Sequence, residues 1–508
     1  MSSHKRATAA TAETFLTRGQ LLTLGVIIAV VPTVWAFTDG FRVAQFLLVT
    51  VVAGYTLFSA LKLAAWIAGA RSTLPNLQLP SVDDPDLPTY TILVPLYQEV
   101  EVFPRLVAAL GELHYPTERL QVLLLLEERD TAMVDAVSSA SLPKHFTPVI
   151  VPDVGPQTKP KACDYGMTFA TGEYTVIFDA EDRPEADHLL KAVASARLER
   201  SKDPRVVCMQ AILRFWNPRS GPPSAFYWAE YIAHFEWMLV GMRRLGLIPP
   251  LGGTSNHFLT SALWEVADRY GQLEFRHGGQ QVTIPNIWDP FNVTEDADLA
   301  ARLARLGYRI GLFSAVTLEE APHRLGVALR QRTRWLQGYL VTGLVHTRNP
   351  IRSARELGPL RYLAFNAFML GTPISLALNP LVWTLTIYLL LAQVLPGVPG
   401  AEFTNGLFPP AVSYVGIALM VVGNLLFFAQ NILAALRRTD GDEAGLAKWM
   451  LLTPLWWAFT SLSAYRGLWR LLTARSQWEK TPHGHDQELE QLVLGKPEPT
   501  PASVQAAA

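Results

Sequence analysis

Two apolar runs open the chain, Leu21 to Phe37 and Val43 to Ala68, the second broken only by Lys62 near its end. Each is long enough to cross about 30 Å of hydrocarbon as a helix. The link between them, Thr38 to Arg42, is short and predicts an antiparallel helical hairpin. Lys5, Arg6, Arg18 and Arg71 then share one side, which the preference of basic residues for the inner face makes the cytoplasm. No clear small-residue cleavage site follows the first run, so it reads as an anchor rather than a removed leader. Near the other end lie Tyr362 to Val394, with an Asn379-Pro380 break, then Ala411 to Leu436, then Trp449 to Leu472. Leu395 to Pro410 carries no Lys or Arg and reads as an outer loop, whereas Arg437, Arg438 and Lys448 mark the next loop as cytoplasmic. Pro454, Arg466 and Arg470 make the last stretch an interfacial or re-entrant helix, leaving four expected spans. The tail from Gln487, rich in Pro, Ala and Glu, predicts disorder.

Between Thr89 and about Arg330 the pattern changes to short β-rich runs alternating with helical periodicity. Tyr90 to Val94, Leu120 to Leu126 and Glu173 to Phe178 read as strands, and Val102 to Leu113 and Cys163 to Ala170 as helices. Such alternation predicts an α/β domain with a mainly parallel sheet covered on both faces, its ligand beyond the C-terminal strand ends. The expected division is a cytoplasmic N-terminus (1–20), a transmembrane hairpin (21–70), a cytosolic α/β domain (89–340), two further spans (341–448), an interfacial helix with a following loop (449–486) and the tail (487–508).

Composition supports this plan. Half of the 508 residues are hydrophobic and 17% are charged, against about 25% charged in average soluble proteins, which argues against a wholly soluble enzyme. Forty-three basic against 44 acidic residues give a formal charge of −1, so no overall basic field recruits nucleic acid. Cys163 and Cys208 are too few for a disulfide framework.

Five short motifs carry candidate chemistry, and each also has an ordinary structural meaning. Asp179-Ala180-Glu181-Asp182 follows a buried strand and offers hard oxygen ligands for Mg²⁺ or Mn²⁺, or caps a helix. Thr294-Glu295-Asp296 opens a helical segment; Asp296 there complements the helix dipole, or acts as a general base whose pKa that dipole would depress. Gln331-Arg332-Thr333-Arg334-Trp335 is a membrane-interface anchor, or a flat indole for a sugar beside groups that bind hydroxyls and phosphates. Lys159-Pro160-Lys161 precedes a helix expected from Ala162 and is a solvated loop or a diphosphate contact. Gly252 to His257 is an ordinary turn, or a small polar loop able to approach a ligand; His257 alone makes no metal site.

The order of VPLYQE (Val94 to Glu99), TKPKA (Thr158 to Ala162), DAED, TED and QRTRW resembles the processive family-2 glycosyltransferases, which include cellulose, hyaluronan and chitin synthases. DPFNVTEDADL, Asp289 to Leu299, is most similar to bacterial cellulose-synthase-like members. The resemblance implies a GT-A glycosyltransferase domain inserted between transmembrane helices of a multi-pass protein in the bacterial inner membrane, with the catalytic domain cytoplasmic. It implies Asp296 as catalytic base and Asp179, Glu181 and Asp182 as metal ligands for Mg²⁺ or Mn²⁺. Donor contacts would be Tyr97, Glu99, Glu127, Glu128, Lys161, Asp179, Gln331 and Arg334. Trp335, Glu295 and His257 would face the acceptor. Where many members carry Asp-Asp-Gly for uridine, this chain has Glu127-Glu128-Arg129-Asp130, which leaves the base open. Trp478, Lys480, Thr481 and His483 stand where cellulose synthase has its gating loop.

The activity so implied is inverting polymerisation of a sugar, from a UDP-sugar or another nucleotide diphosphate sugar, into a β-linked polysaccharide with coupled export. Alternatives are a non-processive transferase adding one sugar to a lipid, and a non-catalytic membrane scaffold. Expected partners are the nucleotide-sugar donor, a growing glycan or lipid acceptor, membrane lipids and export or accessory proteins.

Overall fold

A computed structural model describes residues 11–14, 16–72, 74–75, 77–395, 410–437 and 443–473. Helix α1 (Arg18–Phe37) opens on a capping box: the Thr17 hydroxyl accepts from Gln20 N, and the Gln20 side chain accepts from Thr17 N. None of its residues is buried. Leu22, Ile28 and Phe37 stand 70%, 63% and 85% exposed, a surface suited to lipid rather than water. Asp39 caps α2 (Gly40–Ala70), which turns back at once.

The α/β domain follows. Its strands are β1 (Tyr90–Leu96), β2 (Leu120–Glu127), β3 (Phe146–Val151), β4 (Tyr174–Ile177), β5 (Arg183–Pro184), β6 (Val206–Phe215), β7 (Asn256–Leu259), β8 (Gln272–His277), β9 (Gln280–Pro285) and β10 (Arg309–Glu319). Strands β8 and β9 form a separate hairpin, and the others make one sheet in the order β3-β2-β1-β4-β7-β6-β10-β5. Between and after them come α3 (Phe103–Gly111), α4 (Thr131–Ser139), α5 (Lys159–Met167), α6 (His188–Lys202), α7 (Pro222–Tyr231), α8 (Leu239–Arg244), α9 (Thr260–Tyr270), α10 (Glu295–Arg305) and α11 (Leu325–His346). The runs YTILVPL and LQVLLLLE are buried along nearly their whole length, the mark of parallel strands covered on both faces.

Two features depart from the expected sheet. Strand β7 runs antiparallel to both β4 and β6, and the short β5 antiparallel to β10, within a sheet that is otherwise parallel as expected. Strand β3 adds an edge that the pattern does not announce: Thr147, Pro148 and Ile150 are exposed, and an edge is where a sheet accepts proline. Because β6 and β10 pair parallel with each other and β6 lies antiparallel to β7, both run in the direction of β1, β2 and β4. With β3 parallel to β2, the C-terminal ends of six strands therefore meet at one edge.

Helix α2 is fastened to this domain backbone to backbone. A Cβ on Gly69 would lie 1.7 Å from Trp237 O, and one on Gly241 1.6 Å from Ala65 O. Only glycine permits that approach, a packing mode common where helices meet in membranes. Trp237 lies in a π-helical stretch, Ile232–Met238, that joins α7 to α8.

Beyond the domain lie α12 (Pro350–Leu357), α13 (Pro359–Met369), α14 (Gly371–Val394), α15 (Pro410–Arg437), a 3₁₀ turn (Glu443–Leu452) and α16 (Thr453–Thr473). Among the described residues three helices are long and apolar enough to cross a membrane: α1, α2 and the Tyr414–Leu436 part of α15. The pair α13 and α14, bent by 49°, makes a fourth if taken as one span. The bend falls at Leu370, whereas Pro380, where a break is expected, stays inside α14. There the Tyr465 hydroxyl of α16 donates to Ala377 O at 2.6 Å, the kind of outside donor that lets an apolar helix tolerate proline. Helix α16 lies along α11, burying Trp456, Thr460, Ser463 and Gly467.

Candidate active site

Strand β4 ends in the acid turn Asp179 to Asp182, and hydrogen bonds fix its shape. Asp182 Oδ2 accepts from Asp179 N at 2.7 Å and from the Thr254 hydroxyl. Ser255 N donates to Ile177 O at 2.9 Å, holding the Gly252 to Ser255 loop against the strand end. Lys159, in the first turn of α5, is ion-paired with Asp179 and donates to Gly253 O at 2.7 Å. From the opposite side comes the first turn of α10. A Cβ on Gly253 would stand 3.8 Å from Asp296 Oδ2 and 3.9 Å from Lys159 Nζ. Asp179, Lys159 and Asp296 thus converge on one stretch of backbone.

Burial governs the charges here. It pushes Asp296 up to about 6, although Ala297 N donates to it at 2.7 Å and Lys159 pulls the other way. The depression expected from the helix dipole is therefore outweighed. Burial and then Asp296 push Glu295 up to about 7; burial and then Asp179 do the same to Glu181. Asp182 is raised well above the carboxylate range by burial, Asp179 and Glu181. Burial disfavours the Lys159 charge, but Asp179 and Glu295 more than restore it. One further acid, Glu319 at the end of β10, escaped the sequence reading. Burial raises it, and the carboxylates of Asp182, Glu181 and Asp179 add to the effect. Its signal was the acid pair Glu319-Glu320 closing the last strand.

The TED segment is bolted to α11. Asn292 Nδ2 donates to the Thr342 hydroxyl at 2.8 Å, which lies 3.2 Å from the Thr294 hydroxyl. A Cβ on Gly338 would lie 2.4 Å from Thr294 Cγ2, so glycine is what lets α11 approach. On the same helix Gln331 is 7% exposed and its Oε1 makes no hydrogen bond. The Arg334 charge acts on Glu295 and Asp296. Trp335 packs 5.5 Å from the Tyr227 ring and 6.0 Å from Tyr231, nearly parallel to the latter.

Other expected residues fall elsewhere. Lys161 pairs with Glu127 at 2.7 Å, both almost fully buried. The helix begins at Lys159 rather than Ala162, which hands the acid turn to Lys159 and points Lys161 toward β2. Glu128 accepts from Asp153 N at 2.9 Å and lies 3.1 Å from His277 Nε2. Tyr97 and Glu99 follow β1 at the site edge, with Tyr97 N donating to Glu99 at 3.3 Å. His257 belongs to β7 and points into the core, its Nε2 3.0 Å from His188 Nε2, with Phe178 and Phe313 rings beside it. It lies within the core rather than on an acceptor face. Trp478, Lys480, Thr481 and His483 lie outside the described residues.

Among the described residues no three His, Cys, Asp or Glu side chains are grouped as a ready metal cage. The donor chemistry of the acid turn nevertheless fits a hard divalent ion. Asp182 Oδ1 is buried without a hydrogen bond, and after burial the charges of Asp179 and Glu181 raise the proton affinity of Asp182, and those of all three raise that of Glu319. Asp179 and Glu181 are the residues that would hold such an ion, because Asp182 Oδ2 is committed to the turn.

The family described as Glycosyl transferase family group 2 matches residues 174–474, from β4 past the end of α16. The chain belongs to this family. The family-2 glycosyltransferase is 26% identical over 294 residues to a protein of Bacillus subtilis named probable glycosyltransferase YdaM, covering 56% of this chain and 63% of the relative. It is 25% identical over 264 residues to probable glucomannan 4-beta-mannosyltransferase 7 of Oryza sativa subsp. japonica, covering 50% of this chain and 41% of the relative. The glycosyltransferase thus spans less than two thirds of the length of these curated relatives. Among solved structures it is similar, with a TM-score of 0.44 and 18% identity, to a mannosyltransferase of Pyrobaculum calidifontis in complex with GDP-Man and Mn²⁺, covering 84% of this chain and 99% of that one.

Proposed function

We propose that the protein transfers a hexose from a nucleoside diphosphate sugar to a hydroxyl of a lipid-borne or glycan acceptor at the membrane surface, with inversion. The observation that carries this reading is the convergence of Asp179, Lys159 and Asp296 around Gly253 at the C-terminal edge of the sheet. Asp296 has the proton affinity of a base poised near neutrality. It takes the acceptor O–H proton as that oxygen attacks the anomeric carbon; the bond to the diphosphate oxygen breaks, and its electron pair leaves with the nucleoside diphosphate. Attack from the face opposite the leaving group turns an α-linked donor into a β-linked product. Lys159 and Arg334 supply positive charge on the donor side. A divalent ion held by Asp179 and Glu181 would offset charge on the leaving diphosphate. Gln331 Oε1, buried without a hydrogen bond, offers an acceptor to a donor hydroxyl, and Trp335 offers an apolar face to the acceptor sugar.

Single addition is the elementary act. Repeated addition to a β-linked polysaccharide is the second reading, favoured by the relative named as a glucomannan mannosyltransferase. The test is nucleoside diphosphate release by the purified full-length protein, across a donor panel with Mg²⁺ or Mn²⁺, with product sizing. Release with one donor, lost in Asp296→Asn, is expected. A short product assigns single addition and a long one assigns polymerisation. Full activity in a folded Asp296→Asn protein would refute the base assignment.

A further inference from the structure

One charge next to the acceptor platform has no role in the chemistry above. Arg332, the first arginine of the Gln331 to Trp335 run, turns away from the acid turn into an aromatic enclosure. Its guanidinium carbon lies 4.9 Å from the ring centre of Tyr227, 5.5 Å from Trp456 and 5.8 Å from Trp335. It is ion-paired with Glu230, and the other oxygen of that carboxylate accepts the Trp456 indole N–H at 2.8 Å. The walls are themselves fixed. Phe226 and Phe459 each stack on Trp456 with centroids 4.7 Å apart, and the Tyr227 hydroxyl donates to Ala328 O at 2.9 Å.

A single carboxylate on α7 therefore joins α11, which carries Trp335, to α16, which carries Trp456. Arg332 and Trp335 are three residues apart and share a helix face. A nearly buried guanidinium that loses its carboxylate cannot stay where it is without great cost. If Arg332 moves, the indole of Trp335 beside it loses its support.

From this arrangement we propose that Glu230 and Arg332 are positioning residues for the acceptor: they hold the Trp335 indole and lock α16 onto α11, so that the seating of α16 and the setting of the platform change together. The word acceptor here rests on the glycosyl-transfer reading. The tether between the two helices stands on the contacts alone.

The test uses the full-length protein in phosphatidylcholine nanodiscs, with Trp456→Phe, Arg332→Lys and Glu230→Gln. Trp456→Phe keeps the stacked ring and removes one hydrogen bond, so it remains informative if Glu230→Gln fails to fold. Hydrogen exchange of α16 amides reads the tether. Initial rates, with the nucleotide sugar and an octyl glucoside acceptor varied separately, read the platform. Expected are faster exchange across α16 and an acceptor KM raised on the order of tenfold, with donor KM unchanged. Unchanged α16 exchange in every folded variant would overturn the inference, as would an equal rise in both KM values or a loss confined to kcat. If the wild-type protein transfers no sugar from any donor to any acceptor, the glycosyl-transfer reading fails instead, and the exchange data alone decide whether Glu230 ties α16 down.

Discussion

Among the described residues Lys159 is the one lysine that pairs with the acid turn, and its removal has a calculable effect. Its Nζ and Asp296 Oδ2 stand 3.9 Å and 3.8 Å from the point a Gly253 Cβ would occupy, which puts the two charges within about 8 Å of each other. At that separation and an effective dielectric of about 20, one unit charge is worth about 2 kcal/mol, or about 1.5 pH units. Lys159→Met keeps the side-chain length and deletes the charge. Asp296 acts as base only when deprotonated, so activity falls as pH drops through its pKa of about 6. Without Lys159 the acid limb of kcat/KM is expected to move to about 7.5. Lys159→Arg keeps the charge and should leave the limb near its original place. The assay is nucleoside diphosphate release against pH, with the donor varied at saturating acceptor. A limb in Lys159→Met that stays with the wild type, or one that Lys159→Arg moves as far, would show that Asp296 does not feel this lysine.

Further outcomes follow from other contacts. Glu295 has a folded pKa of about 7 against an ordinary 4.5, so its favourable contribution is complete below 4.5 and lost as pH rises through 7. Glu295→Gln should therefore stabilise the ligand-free protein by about 2 kcal/mol at pH 8 and hardly at all at pH 4; equal thermal shifts at both pH values would refute this. Gly338→Ala puts a methyl into Thr294 and should lower kcat about tenfold or more while the protein stays folded, measured as single-turnover rate at saturating substrates. Asp298 pairs with Arg302 at 2.5 Å and lies 2.9 Å from His346 Nε2, with all three side chains almost fully buried. Asp298→Ala should cost about 3–5 kcal/mol, and an unchanged unfolding midpoint would contradict it.

What the sequence disclosed follows from how local each signal is. The strands of β1 and β2 are continuous apolar runs, and α10 announces itself by acids in its first turn and arginines in its last. These are read within one element. The antiparallel β7 was illegible because Asn256 to Leu259 is four residues long and is made a strand by its neighbours on either side. Lys159 and Lys161 could not be told apart by spacing, since the first residue of the helix decides which of them meets Asp179. Glu319 joins the acid turn only through the crossover that brings β10 beside β5. His257 was drawn toward the site by its glycine-rich prelude, while strand alternation turns it inward. The charge of Asp296 needed burial, which no pattern of residue types supplies.

The union of Gly69 and Gly241 has a mechanical meaning. Helix α2 has 31 residues, about 46 Å of rise, of which a bilayer core takes about 30 Å. The rest is a rigid strut whose far end grips the catalytic domain without any side chain between the two backbones. With backbone against backbone at Gly69 and Gly241 no side chain is left at this junction to yield, so the end of α2 and the π-helical turn it grips move as one piece. Adding or deleting one helical turn in α2 would shift this grip by about 5.4 Å along the helix axis, a shift that α15, packed on α7 and on the π-helical turn, would resist.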